Sequence, residues 1–248
     1  MSKKRIRMFA GPNGSGKSTI KASINQELIG IYINPDEIEK DVNTKGFLNL
    51  LDYNVKTSEK EILDSFANSL FLKQQNLIGE IQNLRFDDNK LVFHNIAMNA
   101  YFASVAADFI RHQLLKTNKT FTFETVMSSL DKVTFLQKAQ EAGYRTYLYY
   151  VATVDPIINA LRVKSRVAEG GHSVPEDKII TRYYRSLDLL SSAVKFTNRA
   201  YIFDNSCFNH LLIAEVTNGN ELEMKTTEMP EWFKQALWNK FVNLSKNT

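Results

Sequence analysis

Nine consecutive residues, Gly11-Pro12-Asn13-Gly14-Ser15-Gly16-Lys17-Ser18-Thr19, set glycine, lysine and a hydroxyl at the spacing G-x-x-x-x-G-K-[ST]. The chemistry open to such a run is the holding of a chain of phosphates. A triphosphate concentrates negative charge, so its site needs many N–H donors in a small space. Glycines at 11, 14 and 16 let the backbone curl until successive N–H groups converge. Thr19-Ile20-Lys21-Ala22-Ser23-Ile24 behind the run reads as the start of a helix, which adds the positive end of its dipole. Lys17 can reach the β- and γ-phosphates, and the Ser18 hydroxyl is a ligand for Mg²⁺. The run implies a nucleoside triphosphate and leaves the fate of its γ-phosphate open.

Four other groups of residues have the types needed to act on that phosphate. Asn34-Pro35-Asp36-Glu37 follows the apolar run Ile31-Tyr32-Ile33. In an open parallel sheet, ligands bind at the carboxyl ends of strands. Asp36 can there take a proton from an attacking hydroxyl or help place Mg²⁺; it can equally be a helix N-cap. Glu124, in Thr122-Phe123-Glu124-Thr125, also ends a strand. It can bind Mg²⁺, bind a hydroxyl-bearing substrate, or simply be a polar strand end. Arg162 and Arg166 share one helix face, ahead of Gly170-Gly171-His172 and a second helix bearing Arg182 and Arg185. Two arginine-bearing helices on a glycine turn suit a closing lid, since guanidinium groups bind the equatorial oxygens of a transferring phosphoryl group. They equally suit a pair of solvated basic faces. Asp204-Asn205-Ser206 ends another strand and can edge a nucleotide base.

The elements that must position these residues read as alternating strands and helices, hence a parallel sheet with helices on its faces. Expected strands are Ile6–Ala10, Ile31–Ile33, Thr120–Glu124, Thr146–Val151 and Arg199–Phe203, with Leu211–Val216 as an edge strand. Asp155-Pro156 opens a helix to about Ala168, Pro175 one to about Val194, and Pro230 a last one whose Trp232, Phe233, Leu237 and Phe241 face the core. Between the second and third strands the chain is long. A helix from the Ser58 capping box to about Gln75 and another from about Asn95 to Lys116 flank a loop or hairpin at Arg85–Lys90. The expectation is one domain over residues 1–248, with a helical insertion at about 45–100. The chain has 248 residues, net charge +4 and one cysteine, Cys207. These values suit a reducing compartment, with cytoplasm as the default, and an anionic substrate. No apolar run is long enough to cross a membrane, and the N-terminal one is too short for a signal peptide.

GPNGSGKST, then NPDEI at 34–38, FET at 123–125, RVKSRVAEGGHSVP at 162–175 with RYYRSL behind it, and DNS at 204–206 together resemble the zeta toxin family of P-loop kinases. The most distinctive part is GGHSVP with its upstream arginines, and the likeness is to the chromosomal, single-domain branch. The resemblance implies a three-layer α/β P-loop nucleoside-triphosphate-hydrolase fold of adenylate-kinase type and an ATP- and Mg²⁺-dependent kinase. The best-studied members phosphorylate the sugar 3′-hydroxyl of UDP-N-acetylglucosamine and are held inactive by protein antitoxins that obstruct the nucleotide site. It therefore implies a small hydroxyl-bearing acceptor and an antitoxin encoded elsewhere. By position, Gly11, Pro12, Asn13, Gly14, Ser15, Gly16, Lys17, Ser18 and Thr19 serve ATP, and Ser18 serves the metal. Asp36 becomes the general base, Glu124 an acceptor contact, and Arg162 and Arg166 the phosphate clamp. His172 and Arg182 are second choices for substrate contact. Two departures concern the acceptor and not the ATP site: Thr125-Val126 follows Glu124 where Gly-Thr is often found, and residues 45–100 match nothing in the family pattern.

Two other classes remain open to the residues. One is an ATP-hydrolysing switch or partner-binding module, although separate Walker-B and signature motifs of a transporter-type ATPase are not evident. The other is a nucleic-acid end kinase, which would need a basic path with interleaved aromatic residues, and no such run is present.

Overall fold

Arg5-Ile6-Arg7-Met8-Phe9-Ala10 forms the first strand, β1 (Arg5–Ala10), with every residue after the first buried. The computed structural model to which it belongs describes residues 4–171 and 173–245, with side chains through 242. His172 lies outside the described residues. The chain divides into two units, one of Met1–Ile29 with Thr122–Thr248 and one of Gly30–Phe121.

After β1 the first unit continues through α1 (Lys17–Ala22) and α2 (Gln26–Ile29). The chain then enters the second unit with β2 (Ile31–Ile33) and α3 (Pro35–Lys45). Asn34, not Asp36, is the N-cap of α3: its side chain accepts the Asp36 N–H at 3.0 Å, with Pro35 at the first helical position. Then follow β3 (Phe47–Asn49), α4 (Glu59–Ala67), α5 (Leu70–Gln74), β4 (Leu84–Asp87), β5 (Lys90–Phe93) and α6 (Ala100–Lys116). The single helix expected from Ser58 to Gln75 is two, because Ser69 starts afresh as an N-cap, accepting the Leu72 N–H. Asn99 caps both Tyr101 and Phe102, so α6 begins five residues later than the expected Asn95. Residues 85–90 form a hairpin whose turn residues, Asp88 and Asn89, both have positive φ (43° and 59°), as a two-residue turn of type I′ requires. With β3 this hairpin makes a three-stranded antiparallel sheet, β3-β5-β4, so the segment expected as a helical insertion carries strands as well.

The chain returns to the first unit along β6 (Phe121–Thr125), then α7 (Asp131–Glu141), β7 (Arg145–Ala152), α8 (Pro156–Ala168), α9 (Glu176–Val194), β8 (Arg199–Asp204), β9 (Leu211–Thr217) and β10 (Glu221–Met224). Strands of this unit lie in the order β10-β9-β8-β7-β1-β6. β1, β7 and β8 are parallel, β9 runs antiparallel to β8, and β10 runs antiparallel to β9. Leu211–Thr217 is thus an inner strand, and the outermost is β10, whose alternating charged residues did not read as a strand. The mixed α/β fold with a large, mostly parallel sheet flanked by helices agrees with the expected class. The Tyr150 hydroxyl meets Ser186 Oγ on α9 at 3.1 Å, and Phe123 of β6 packs edge-on to Phe135 of α7, which fixes helices against the sheet.

The last helical stretch starts after Pro230 as α10 (Glu231–Phe233), passes through a π-turn at Lys234–Trp238, and ends as α11 (Asn239–Ser245). Trp232, Phe233 and Leu237 are buried as the stripe predicts; Phe241 is half-buried.

Candidate nucleotide-binding site

The phosphate-loop motif lies where β1 gives way to α1. Gly16 is the N-cap of α1 with φ 97°, so the loop ends at the positive end of a helix. The three glycines are required by space as well as by φ. A Cβ on Gly11 (φ 141°) would sit 2.0 Å from Val151 O; on Gly14 (φ 74°), 2.4 Å from Asn159 O; on Gly16, 2.0 Å from Asn205 Nδ2. The loop is therefore pressed against the end of β7, the first turn of α8 and the residue after β8.

Two asparagines hold it there through its carbonyl groups. Asn159 Nδ2 donates to Asn13 O at 2.6 Å, and Asn205 Nδ2 donates to Ser15 O at 2.8 Å. In a trans peptide the C=O and the following N–H point to opposite sides. Fixing the carbonyls of 13 and 15 outward turns the N–H groups of Gly14 and Gly16 inward, which is the arrangement an anion needs. Asn159 is itself fully buried and oriented by the Thr153 hydroxyl, which donates to its Oδ1. Neither Asn159 nor Thr153 stood out in the sequence. The one signal was a polar residue within the apolar run Ile157-Ile158-Asn159-Ala160-Leu161.

Lys17 Nζ lies 3.0 Å from both Gly11 O and Pro12 O, so its ammonium closes over the loop. Ser18 Oγ approaches Glu124 Oε1 at 3.4 Å. Glu124 is 5% exposed at the end of β6. A hydroxyl beside a nearly buried carboxylate is a hard-oxygen pair, and Mg²⁺ is held by one or two such groups together with phosphate oxygens and water. The donor set therefore fits that ion. No cluster of three or more His, Cys, Asp or Glu side chains suited to a metal occurs among the described residues.

The Asp204-Asn205-Ser206 turn ties the loop to the rest of the unit. Asp204 accepts the Ser206 N–H through Oδ1 (2.8 Å) and the Trp232 indole N–H through Oδ2 (2.7 Å). Asn205 N–H donates to Ala152 O, and Ser206 Oγ accepts the Val154 N–H, each at 2.8 Å. The turn is thus pinned to β7, to the start of α8 and to α10. Arg162 lies against its outer side, with Nη1 donating to Asn205 O at 2.7 Å and Nη2 to Ser206 O at 3.4 Å. Gly16, Thr19, Arg162, Asn205, Cys207 and the fully exposed Phe208 surround a cavity of about 290 Å³ beside the loop. The structure thus joins Gly11–Thr19, Glu124, Arg162 and Asn205 in one place.

Arg166 is exposed near the end of α8, and Arg182 is half-buried on α9. Between the two helices Gly170 (φ 87°) donates to Val167 O and Gly171 to Arg166 O, the paired bonds of a Schellman cap, so this glycine turn has a defined form. Asp36 belongs to the other unit, exposed at the second position of α3 just past the carboxyl end of β2.

The model of the family described as Zeta toxin matches residues 85–212, just over half of the chain. An uncharacterized protein of Haemophilus influenzae is 26% identical over 175 residues, covering 71% of this chain and 89% of the relative. Among solved structures, AvrRxo1-ORF1:-ORF2 with ATP has a TM-score of 0.54 at 12% identity, over 99% of this chain and 63% of that one. The native AvrRxo1-ORF1:-ORF2 complex has a TM-score of 0.56, also at 12% identity, over 93% and 63%. This chain therefore spans under two thirds of those structures' length, and at that identity the likeness is one of fold.

Proposed function

The chain belongs to the zeta toxin family, and from that premise we propose that it is an ATP- and Mg²⁺-dependent kinase that phosphorylates a hydroxyl of a small molecule, with a sugar nucleotide such as UDP-N-acetylglucosamine as the first acceptor to try. The observation that carries this reading is the loop at Gly11–Thr19, held with its carbonyls outward by Asn159 and Asn205 and flanked by the Ser18–Glu124 oxygen pair.

The triphosphate lies along the inward N–H groups, with Lys17 at the β- and γ-phosphates. The cavity lined by Gly16, Thr19, Arg162, Asn205 and Phe208 takes the base, with the Arg162 guanidinium and the Phe208 ring as its walls. Ser18 and Glu124 would hold Mg²⁺, which would there supply neutralising charge for the transferring phosphoryl group. Asp36 receives the proton of the acceptor hydroxyl as its oxygen bonds to the γ-phosphorus. The bond from that phosphorus to the β,γ-bridging oxygen breaks, and ADP carries the electron pair away. Arg166 covers the equatorial oxygens, with Arg182 the second choice for substrate contact. A protein antitoxin is the expected partner, its own sequence encoded elsewhere.

The test is product analysis with labelled ATP and a panel of sugar nucleotides. A phosphorylated small molecule, lost in Asp36→Asn while ATP binding persists, is the expected result. Free phosphate released without an acceptor would instead identify an ATP-driven switch. Phosphorylated oligonucleotide ends would identify a nucleic-acid kinase.

A further inference from the structure

Tyr183 is buried on α9, the helix that follows the glycine turn and carries Arg182. Its hydroxyl donates to Thr153 O at 2.6 Å, in the three-residue link between β7 and α8. Burial pushes the phenol pKa up, so the proton of this bond is retained. The peptide that carries the Thr153 carbonyl is held on its other edge too, because the Val154 N–H donates to Ser206 Oγ at 2.8 Å. A trans peptide is planar. Two bonds on its opposite edges therefore fix the plane, and with it the Thr153 backbone.

Thr153 is fully buried, and its hydroxyl has one proton for two acceptors. One is Asn159 Oδ1 and the other is Asp155 O at 3.1 Å. The choice matters to the phosphate loop. A bond to Oδ1 keeps the Asn159 amide turned so that Nδ2 donates to Asn13 O at 2.6 Å. A proton given to Asp155 O leaves Oδ1 without that donor. The amide is then free to turn, which sets Oδ1 against the Asn13 carbonyl, and two acceptors repel. A small shift of the Thr153 backbone decides between the two acceptors. Tyr183 restrains that shift from the side of α9.

We propose that Tyr183 is a positioning residue for the phosphate loop. By holding the Thr153 carbonyl it selects the bond from the Thr153 hydroxyl to Asn159, and so makes α9 part of the loop's support. It acts through Thr153 and Asn159 and touches no substrate itself. Movement of the helix that carries Arg182 is thereby felt at the loop, because the hydrogen bonds between them form one continuous chain. The support of the loop stands on these bonds alone; only its effect on ATP rests on the nucleotide reading above.

Tyr150 supplies a matched control. Its hydroxyl is also buried and also ties the sheet to α9, through Ser186 Oγ at 3.1 Å, but that bond bypasses Thr153. Tyr183→Phe and Tyr150→Phe each remove one such hydroxyl and keep the ring. Two quantities are read in the full chain: ATP affinity by calorimetry, and, without ATP, the NMR resonance of the Gly14 amide, which shares its peptide with Asn13 O. Tyr183→Phe should weaken ATP about threefold or more and move the Gly14 resonance. Tyr150→Phe should lower the thermal midpoint and leave both unchanged. Thr153→Val, which removes the hydroxyl and keeps the shape, should lose at least as much affinity as Tyr183→Phe, and Thr153→Ser should retain native affinity. The Tyr183→Phe/Thr153→Val pair should bind no more weakly than Thr153→Val alone, since both act on one chain of bonds. Equal loss of affinity in Tyr183→Phe and Tyr150→Phe would reduce the effect to stability and overturn the proposal. So would an unmoved Gly14 resonance, a native ATP affinity in Tyr183→Phe, or losses that add in the pair. A native chain that binds no ATP, while Tyr183→Phe still moves the Gly14 resonance, overturns the nucleotide reading and leaves the support of the loop standing.

Discussion

Asn205 donates its side-chain amide to the carbonyl oxygen of Ser15 at 2.8 Å, joining residues 190 positions apart in the chain. Its Cγ and Nδ2 also fill the space that a side chain on Gly16 would need. One asparagine therefore sets both the orientation of the Ser15 peptide and the identity of the glycine that follows it. Removing the amide frees a carbonyl to turn inward, where it opposes a phosphate.

Asn205→Ala should thus weaken ATP binding by roughly tenfold, the worth of one buried hydrogen bond. Asn205→Asp should weaken it further, because a carboxylate then faces the Ser15 carbonyl. Isothermal titration with ATP measures both. Native affinity in the aspartate variant would show that the loop holds its form without this bond.

Gly14→Ala tests the packing of the loop on α8. The new methyl group would meet Asn159 O at 2.4 Å on a backbone with φ 74°, so strain of about 1–3 kcal/mol is expected. A lowered thermal midpoint together with lost ATP binding should result. Gly46→Ala is the control, because φ there is also positive (80°) but nothing lies within 4 Å. If the two variants melt alike, backbone strain and not the contact with Asn159 is the cause.

Glu124→Gln keeps the shape of the side chain that approaches Ser18 Oγ and removes its charge. The proposed metal site predicts a raised Mg²⁺ requirement for turnover, by about tenfold or more, with metal-free ATP binding unchanged. Activity titrated against Mg²⁺ at fixed ATP decides it; an unaltered midpoint would assign Glu124 to the acceptor and not to the metal.

In the Gly30–Phe121 unit, Lys116, Gln113 and Thr57 hydrogen-bond the Glu61 carboxylate and hold its pKa down to about 2 from an ordinary 4.5. A depressed carboxylate favours the folded state above its unfolded pKa. That contribution disappears as pH falls from about 4.5 towards 2. The Glu61 side chain is 42% exposed and solvent screens it, so the effect is small. Scanning calorimetry between pH 7 and 2.5 should find a shallower acid fall in midpoint for Glu61→Gln than for the native chain. Parallel curves would mean that the Lys116 contact at 2.8 Å is not kept in solution.

Much of this arrangement is legible along the chain. The loop, the strand beneath it and the helix after it are local, and their signals, glycine spacing, an apolar run and a cap, are local too. The same holds for α8, whose Asp155-Pro156 start and Gly170 end lie in the sequence as they lie in the structure. Where short-range hydrogen bonds compete, as at Ser69 and Asn99, helix boundaries moved, because an asparagine or serine side chain can end one helix or start the next without altering the apolar pattern. β10 escaped notice because an edge strand needs little apolar character.

By itself, then, the sequence determined that the chain carries a phosphate loop on an α/β sheet, because that motif is a contiguous backbone shape that its own glycines permit. Only the tertiary structure decided what holds the loop. Asn159 and Asn205 are ordinary polar residues on their own segments and acquire their role where β7 and β8 end and α8 begins, beside the loop that follows β1. It likewise turned Arg162 towards Asn205 O and Ser206 O. A side chain's partners are set by what the fold brings within about 3 Å of it, and linear spacing carries no record of that distance.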